Sequence, residues 1–229
     1  MPVNHNLKVI HIHIPKTGGT SVNETLFNEN ELNMKKVNKK IFYGNYKHIE
    51  NYSYELDHST IHFLKKNCIN YDESYFKFCY VRNPYSRLVS EYLHCKKHQS
   101  RFIKNTSTFE NFVLELKDKF DFVIENIELN HHLVSHYIPQ YYFIYDNNNN
   151  CCIDYIGRFE EINSYWKQII KKIKIQTNLK KSKKYNSGSY DWKTFYNEEL
   201  KDIVYNLYKI DFDTFSYDSN FALFTKKTD

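Results

Sequence analysis

The residues that interrupt regular structure are scarce in this chain, which has only five glycines and four prolines in 229 residues. That content excludes collagen-like proteins and glycine- or proline-rich low-complexity proteins. No apolar run approaches the ~20 residues that a membrane-spanning helix needs, and the mean hydropathy is −0.70. The first seven residues also lack the apolar stretch of a signal peptide. We expect a cytoplasmic or otherwise soluble intracellular protein, unless a leader has been removed.

Metal and disulfide signals are also missing. The five cysteines form no CxxC pair, and no zinc-ligand spacing occurs. Cys151 and Cys152 are adjacent, and neighbouring cysteines rarely bridge each other. Reduced thiols and no bound metal are therefore expected. His11 and His13 share one face of a predicted strand and offer metal ligands, but a strand buried on both faces favours core histidines.

The composition supports one folded domain. Hydrophobic residues make up 41% of the chain and aromatic residues 17%. Because no repeat or linker divides the chain, we expect a single domain over residues 1–229. The range Ile162–Tyr190 has eight lysines and no acidic residue. It is either a solvated loop or a flap over a cofactor that also meets a polyanion. The net charge is only +5 and no nucleic-acid-binding module is present, so nucleic acid is not expected as a partner.

The segment from Leu7 to Phe27, LKVIHIHIPKTGGTSVNETLF, predicts a strand, a turn and the start of a helix. Glycines in such a turn let backbone N–H groups point inward, and the helix N-terminus adds partial positive charge. Lys16 adds a full charge, and nearby hydroxyls add donors. The pattern indicates a phosphate-binding loop made of these residues: Lys16, Thr17, Gly18, Gly19, Thr20 and Ser21.

This loop differs from the standard nucleotide loop, GxxxxGK[ST], because its lysine precedes the glycines. An ordinary strand-to-helix turn capped by Thr20 or Ser21 is the alternative interpretation.

A second segment, Phe76 to Leu93, reads FKFCYVRNPYSRLVSEYL. An aromatic-rich strand over Tyr75–Val81 is predicted to end at Arg82, and Pro84 fits the first turn of a helix. Arg82 would then stand at the carboxyl end of its strand, where open α/β sheets bind ligands. Ser90 follows eight residues later, two turns into the helix.

These two segments resemble a known family. IHIPKTGGTSV is similar to the 5′-phosphosulfate loop of sulfotransferases that use 3′-phosphoadenosine 5′-phosphosulfate (PAPS), and YVRNPYSRLVSEY is similar to their 3′-phosphate motif. The chain looks most like the carbohydrate sulfotransferase group that includes heparan 2-O- and chondroitin-type enzymes. DYIGRFEEI, at Asp154–Ile162, resembles a later cofactor-side segment of that group, and the ending DFDTFSY at Asp211–Tyr217 fits as well. The resemblance spans most of the chain.

The resemblance implies a PAPS site and a set of roles. It assigns donor binding to the phosphosulfate loop, the 3′-phosphate pair and one later arginine: Lys16, Thr17, Gly18, Gly19, Thr20, Ser21, Arg82, Ser90 and Arg158.

Catalysis is implied for two residues. His48 takes the proton from an acceptor hydroxyl, and Lys16 compensates charge on the bridging oxygen of the departing 3′,5′-ADP. A solvent-exposed loop histidine is the alternative for His48. His136 and Gln140, in an element of the form His-x-x-Pro-Gln, are implied to contact the acceptor, a carbohydrate with anionic glycans among the candidates.

The fold expected from pattern and resemblance is a three-layer, P-loop-like α/β domain with a central parallel sheet of about four or five strands flanked by helices. Helices are predicted over 54–66, 121–132, 162–175 and 192–208. Another is predicted to start at a Ser107–Glu110 capping box. The range 136–145 is predicted to be extended after Pro139.

The function predicted from the sequence is PAPS-dependent transfer of a sulfuryl group to a hydroxyl by in-line displacement, without a metal. Two alternatives remain open. One is a P-loop nucleotide kinase, which is disfavoured by the lysine placement. The other is a catalytically idle protein that binds nucleotide or glycan.

Overall fold

The computed structural model describes residues 3–26, 58–67, 71–98, 102–127, 132–180 and 190–222. Its strands form one four-stranded sheet in the order β1-β2-β3-β4. β2, β3 and β4 run parallel, and β1 pairs with β2 in the antiparallel direction. The strands are β1 (Val3–Asn4), β2 (Val9–Ile12), β3 (Phe76–Val81) and β4 (Tyr155–Arg158).

Helices surround this sheet in the described part of the chain. The α-helices are α1 (Gly19–Leu26), α2 (Ile61–Asn67), α3 (Pro84–His98), α4 (Phe109–Asp118), α5 (Phe120–Glu125), α6 (His132–Ser135), α7 (Tyr141–Ile144), α8 (Ile162–Ile173), α9 (Glu198–Leu207) and α10 (Lys209–Phe215). Two 3₁₀ turns lie at Phe159–Glu161 and Trp192–Phe195. No helix within these ranges is both long and apolar enough to cross a membrane.

Alternate side chains of the central strands enter two separate cores, because successive residues of a strand point to opposite faces. Val9, Phe78 and Tyr80 face one core, together with side chains of α1 and α8. Ile10 and Cys79 face the other core, which holds side chains of α2 to α7, α9 and α10. Helix, sheet and helix therefore form three layers, and the predicted α/β fold is confirmed.

The register brings three strand ends together. Ile12 pairs with Cys79, and Val81 pairs with Arg158. Because the three strands are parallel, the segments that follow them leave from the same edge of the sheet. The loop after β2, Arg82 and Arg158 therefore lie at one edge, as the sequence predicts.

Several predicted segments differ from the structure, among them the helix predicted over 121–132, which ends at Glu125. Residues 136–145 are not extended throughout, because α7 begins directly after Gln140. Here Asp211 accepts hydrogen bonds from the N–H groups of Gln140 and Tyr141, and so satisfies helix-start donors from a distant part of the chain. The predicted single helix over 192–208 is broken, since the Asn197 side chain accepts from the Leu200 N–H and starts α9 anew.

The start of α4 is shifted by one residue from the predicted capping box. Thr108, rather than Ser107, is the N-cap, and its hydroxyl accepts from the Asn111 N–H at 3.1 Å. Glu110 lies in the first turn, where its charge suits the helix dipole.

His11 is a core histidine, in agreement with the interpretation favoured from the sequence. It is fully buried in β2, and its Nδ1 donates to Asn23 Oδ1 at 2.7 Å. Its Nε2 has no hydrogen-bond partner among the described residues. Burial lowers the pKa of His11 from 6.5 to about 4.

This burial predicts acid-sensitive stability. The folded-state pKa lies below the unfolded value, so the unfolded chain binds more protons between pH 6.5 and about 4, and acid favours unfolding. His11 alone should lower the free energy of unfolding by about 3 kcal/mol across that window. Urea unfolding at a series of pH values measures the slope. In a His11→Gln variant the free energy of unfolding should change less with pH. Parallel pH profiles for parent and variant would contradict this account. His5→Gln is the control.

Candidate active site

The loop after β2 curls back on itself. The Thr17 hydroxyl donates to the Ile14 carbonyl at 2.8 Å, and the Ser21 N–H donates to the Gly18 carbonyl at 3.1 Å. Lys16 and Gly18 both have positive φ, 67° and 84°. Backbone of alternating hand makes concavities in which N–H groups converge on an anion. The loop therefore has the backbone of an anion site, and the buried Thr17 hydroxyl serves the loop itself.

Both glycines are needed, for different reasons. Gly18 has a positive φ, which side-chain-bearing residues adopt only with strain. Gly19 begins α1 directly against a histidine, because a Cβ placed there would lie 1.8 Å from Cδ2 of His13. The first turn of α1 is thus packed onto the imidazole of His13.

Replacing Gly19 with alanine should strongly destabilise the fold, because either the helix start or the buried His13 ring has to move. Overpacking of this kind costs about 1–3 kcal/mol or more. Thermal unfolding measures the loss, with Glu24→Ala on the exposed side of the same helix as the control. An unchanged midpoint for Gly19→Ala would show that the loop is not packed in this way.

Two arginines bind the backbone of this loop from the segment after β3. Arg82 Nη1 donates to the Lys16 carbonyl at 3.1 Å, and Arg87 Nε donates to the Pro15 carbonyl at 3.1 Å. Arg87 Nη2 also donates to the carbonyls of His136 and Ile138. The two predicted motifs are therefore in direct contact.

The Arg82 side chain has several contacts within the protein, but they do not use all of its N–H donors. Its Nε donates to Ser86 Oγ at 2.9 Å, and its guanidinium lies 4.3 Å from the centre of the Phe159 ring. A guanidinium has five N–H donors, so these contacts leave capacity for an anion. Arg82 is partly exposed, while Ser90 lies on α3 with 8% of its surface exposed.

Gln140 lies beneath the end of β3. Its Oε1 accepts from the Arg82 N–H at 2.8 Å, and its Nε2 donates to the Arg82 carbonyl at 2.8 Å and to Asp211. The side chain is fully buried. It therefore fixes the backbone from which the Arg82 side chain leaves.

Arg158, at the end of β4, is directed toward the end of α10. Its Nη2 donates to the Phe215 carbonyl at 2.6 Å, and its guanidinium lies 4.6 Å from the Tyr217 ring centre. The Tyr217 hydroxyl donates to Glu160, whose other oxygen accepts from the Asn83 N–H. Arg158 thus joins the last helix to the edge of the sheet that carries Arg82.

Histidines from three segments meet beside the loop. His58 Nδ1 donates to the His13 carbonyl at 2.9 Å. The His58 ring lies 4.5 Å from the His13 ring and 4.9 Å from the His136 ring. His48, the histidine chosen from the sequence as base, lies outside the described residues.

A buried carboxylate anchors this group. Glu91, on α3, accepts from His136 Nδ1 at 2.8 Å and from Cys95 Sγ at 3.1 Å. Burial alone would raise the pKa of Glu91, but the charge and hydrogen bond of His136 outweigh burial and hold that pKa well below its usual range. The Lys16 charge acts in the same direction.

Opposing effects act on the pKa of the Lys16 amine. Burial lowers its pKa from 10.5, and the nearby Arg82 charge adds to that effect, while Glu91 opposes it. Glu91 thus helps to keep the loop lysine charged beside two arginines.

Sequence reasoning missed His58, Arg87 and Glu91. The resemblance implies a base just before the helix that precedes β3, and that helix was predicted to begin at Tyr54. In the structure α2 begins at Ile61, where Thr60 Oγ1 accepts from the Phe63 N–H. The threonine before the apolar run was the missed start signal.

The comparisons agree with this geometry. A family model described as the sulfotransferase family matches residues 1–218, a range that includes both motifs and every described helix and strand. The search of curated proteins and the search of solved structures gave no match. The loop of alternating hand, the arginines that bind it and the family match lead to one conclusion: this chain belongs to the sulfotransferase family, whose chemistry is the transfer of sulfuryl groups.

Proposed function

We propose that this protein transfers a sulfuryl group from PAPS to a hydroxyl of a carbohydrate acceptor. The observation that carries the proposal is the bond from Arg82 to the Lys16 carbonyl. This contact between the two segments supports the proposal, because one doubly phosphorylated adenosine would have to span both of them.

In this proposal different segments of the donor site bind different parts of PAPS. The backbone N–H groups of Gly18, Gly19 and Thr20 and the Lys16 amine hold the 5′-phosphosulfate. Arg82 and Ser90 hold the 3′-phosphate, since arginine matches phosphate geometry with paired donors. Arg158 acts indirectly: it donates a hydrogen bond to the Phe215 carbonyl and so holds the end of α10 beside the nucleotide.

The transfer is an in-line displacement. The acceptor oxygen forms a bond to sulfur while the bond from sulfur to the bridging phosphate oxygen breaks, and 3′,5′-ADP leaves. Lys16 compensates the charge that builds on that oxygen. A sulfonate carries one negative charge where a phosphoryl group carries two, so this step needs no divalent metal.

We assign the proton acceptor to His58. Because its Nδ1 donates to the His13 carbonyl, the neutral ring carries its lone pair on Nε2. That bond also fixes the ring beside the loop. His48 remains the candidate from sequence, and the two assignments are separated by the variants described in the Discussion.

The acceptor side is proposed around His136. Its ring contacts His58 and is held by Glu91, so a hydroxyl bound there lies next to the proposed base. The lysines of the range 162–190 favour an anionic glycan. Gln140, whose polar atoms are bonded inside the protein, acts by positioning Arg82.

Weakening the 3′-phosphate site should weaken nucleotide binding selectively. Loss of one hydrogen bond to a charged group costs about 1.5–3 kcal/mol, so Ser90→Ala should raise the Kd for 3′,5′-ADP about 10- to 100-fold. The Kd for 5′-AMP, which lacks that phosphate, should not change. Calorimetric titration measures both. Equal losses for the two nucleotides would remove Ser90 from 3′-phosphate recognition.

The activity is tested by incubating the protein with radiolabelled PAPS and a panel of acceptors: anionic glycans, neutral glycans, small alcohols and tyrosine peptides. The proposal predicts label on glycans, in the presence of a chelator. Label on none of the acceptors, with 3′,5′-ADP still bound, favours the idle binding protein. Thermal stabilisation by ATP with magnesium but not by 3′,5′-ADP favours the kinase.

A further inference from the structure

A cluster of possible metal ligands lies beside the transfer site and includes His136, which the proposed transfer places next to the acceptor. Glu91 and His94 lie three residues apart on α3, which places them on one face of the helix. His136 approaches the same face from the segment after α6. One potential ligand atom from each residue lies within 4.8 Å of the other two.

The spacing is close to that of a bound metal ion. A tetrahedral zinc ion with bonds of about 2.0–2.1 Å holds its ligand atoms about 3.4 Å apart. Glu91 Oε1 and His94 Nδ1 are 4.0 Å apart, and Glu91 Oε2 and His136 Nδ1 are 2.8 Å apart. These two separations lie on either side of the zinc value, so side-chain rotations would bring the three ligand atoms around one ion.

The donor types select the kind of ion. Two imidazoles and one carboxylate suit first-row transition metals, whereas magnesium and calcium prefer oxygen ligands alone. The carboxylate is buried, and the imidazole side chains of His94 and His136 are 30% and 18% exposed. An ion can therefore enter from solvent and meet a negative charge that is already ordered.

We propose that Glu91, His94 and His136 form a binding site for a divalent transition-metal ion, with zinc as the best match. Water completes the coordination. The charge of Lys16 acts on both Glu91 and His94, so it also repels a metal ion bound between them. The affinity is accordingly below that of structural zinc sites, and chelators remove the ion without unfolding the protein.

The site is tested with cobalt(II), whose visible absorption reports protein ligands. The chelator-treated protein, without PAPS or nucleotide, is titrated with CoCl₂ and then with ZnCl₂. The proposal predicts one equivalent of cobalt, displaced by zinc. Loss of an outer-shell partner weakens metal binding about 10- to 100-fold, and His94 is a direct ligand in the proposal, so His94→Ala should raise the Kd for cobalt at least that much.

His5→Ala is the matched control, because His5 bonds Tyr75 at the opposite end of β3 and should leave binding unchanged. His94→Gln serves as the second variant if His94→Ala unfolds, as judged by circular dichroism. Absence of stoichiometric cobalt binding, or equal binding by parent and folded His94 variants, would overturn the proposal. Since no nucleotide is present, either outcome is independent of the proposed transferase activity.

Discussion

Replacing Lys16 with alanine should lower the turnover number about 30- to 1,000-fold at saturating PAPS, which corresponds to about 2–4 kcal/mol of lost barrier stabilisation. In the proposed reaction the Lys16 amine compensates the charge that develops on the bridging oxygen. Its loop has a backbone that Arg82 and Arg87 hold by hydrogen bonds. The loss should therefore fall on turnover more than on the Kd for 3′,5′-ADP. Radiolabel transfer under single-turnover conditions measures it.

Lys66→Ala, on the exposed side of α2, is the control for charge removal alone and should retain full activity. The Lys16 variant should also have a different alkaline limb. Burial lowers the pKa of Lys16 below 10.5, so the amine of the parent protein should lose its proton, and the protein its activity, below the pH at which an unburied lysine titrates. Unchanged turnover in the Lys16→Ala protein would remove this residue from the transition state.

Removing the imidazole of His58 should lower transfer about 10²- to 10⁴-fold, the range for a general base. The physical reason is the fixed tautomer, in which Nδ1 donates to the His13 carbonyl and Nε2 receives the proton. The acid limb of the pH–rate profile should disappear in His58→Ala, because that limb reports protonation of the base. Binding of 3′,5′-ADP should be retained.

The matched controls for this second prediction are His62→Ala, in the first turns of α2, and His48→Ala. The His62 variant should keep both the rate and the pH profile of the parent. If His48→Ala instead loses the acid limb while His58→Ala keeps it, the base is the residue chosen from sequence. Full transfer by both variants would leave the reaction without a histidine base.

The strand ends of this fold follow directly from sequence. Val9, Ile10 and Ile12 form a run that only a strand covered on both faces can bury, and Pro15 marks its end. Arg82 was placed correctly for the same reason, since Pro84 starts α3 immediately after β3. These two strand ends could be predicted because the residues that mark them are neighbours in the sequence.

Some of the parts that sequence reasoning missed depend on contacts between distant segments, whereas the helix starts at Thr60, Thr108 and Asn197 are local signals that it overlooked. The predicted extended range after Pro139 gave way to α7, because Asp211 supplies an acceptor from 70 residues away. Gln140 likewise bonds Arg82 across 58 residues. The position of His58 beside His13 depends on the start of α2, and element boundaries are the weakest part of any pattern argument.

The central claim is that two loops jointly bind one doubly phosphorylated adenosine. A crystal structure of the complex with 3′,5′-ADP tests it most directly. The account predicts the 5′-phosphate over the backbone N–H groups of the Gly18–Thr20 segment, with the 3′-phosphate within hydrogen-bonding distance of Arg82 and Ser90. A nucleotide bound in the reverse orientation, or away from the edge where β2 and β3 end, would contradict it.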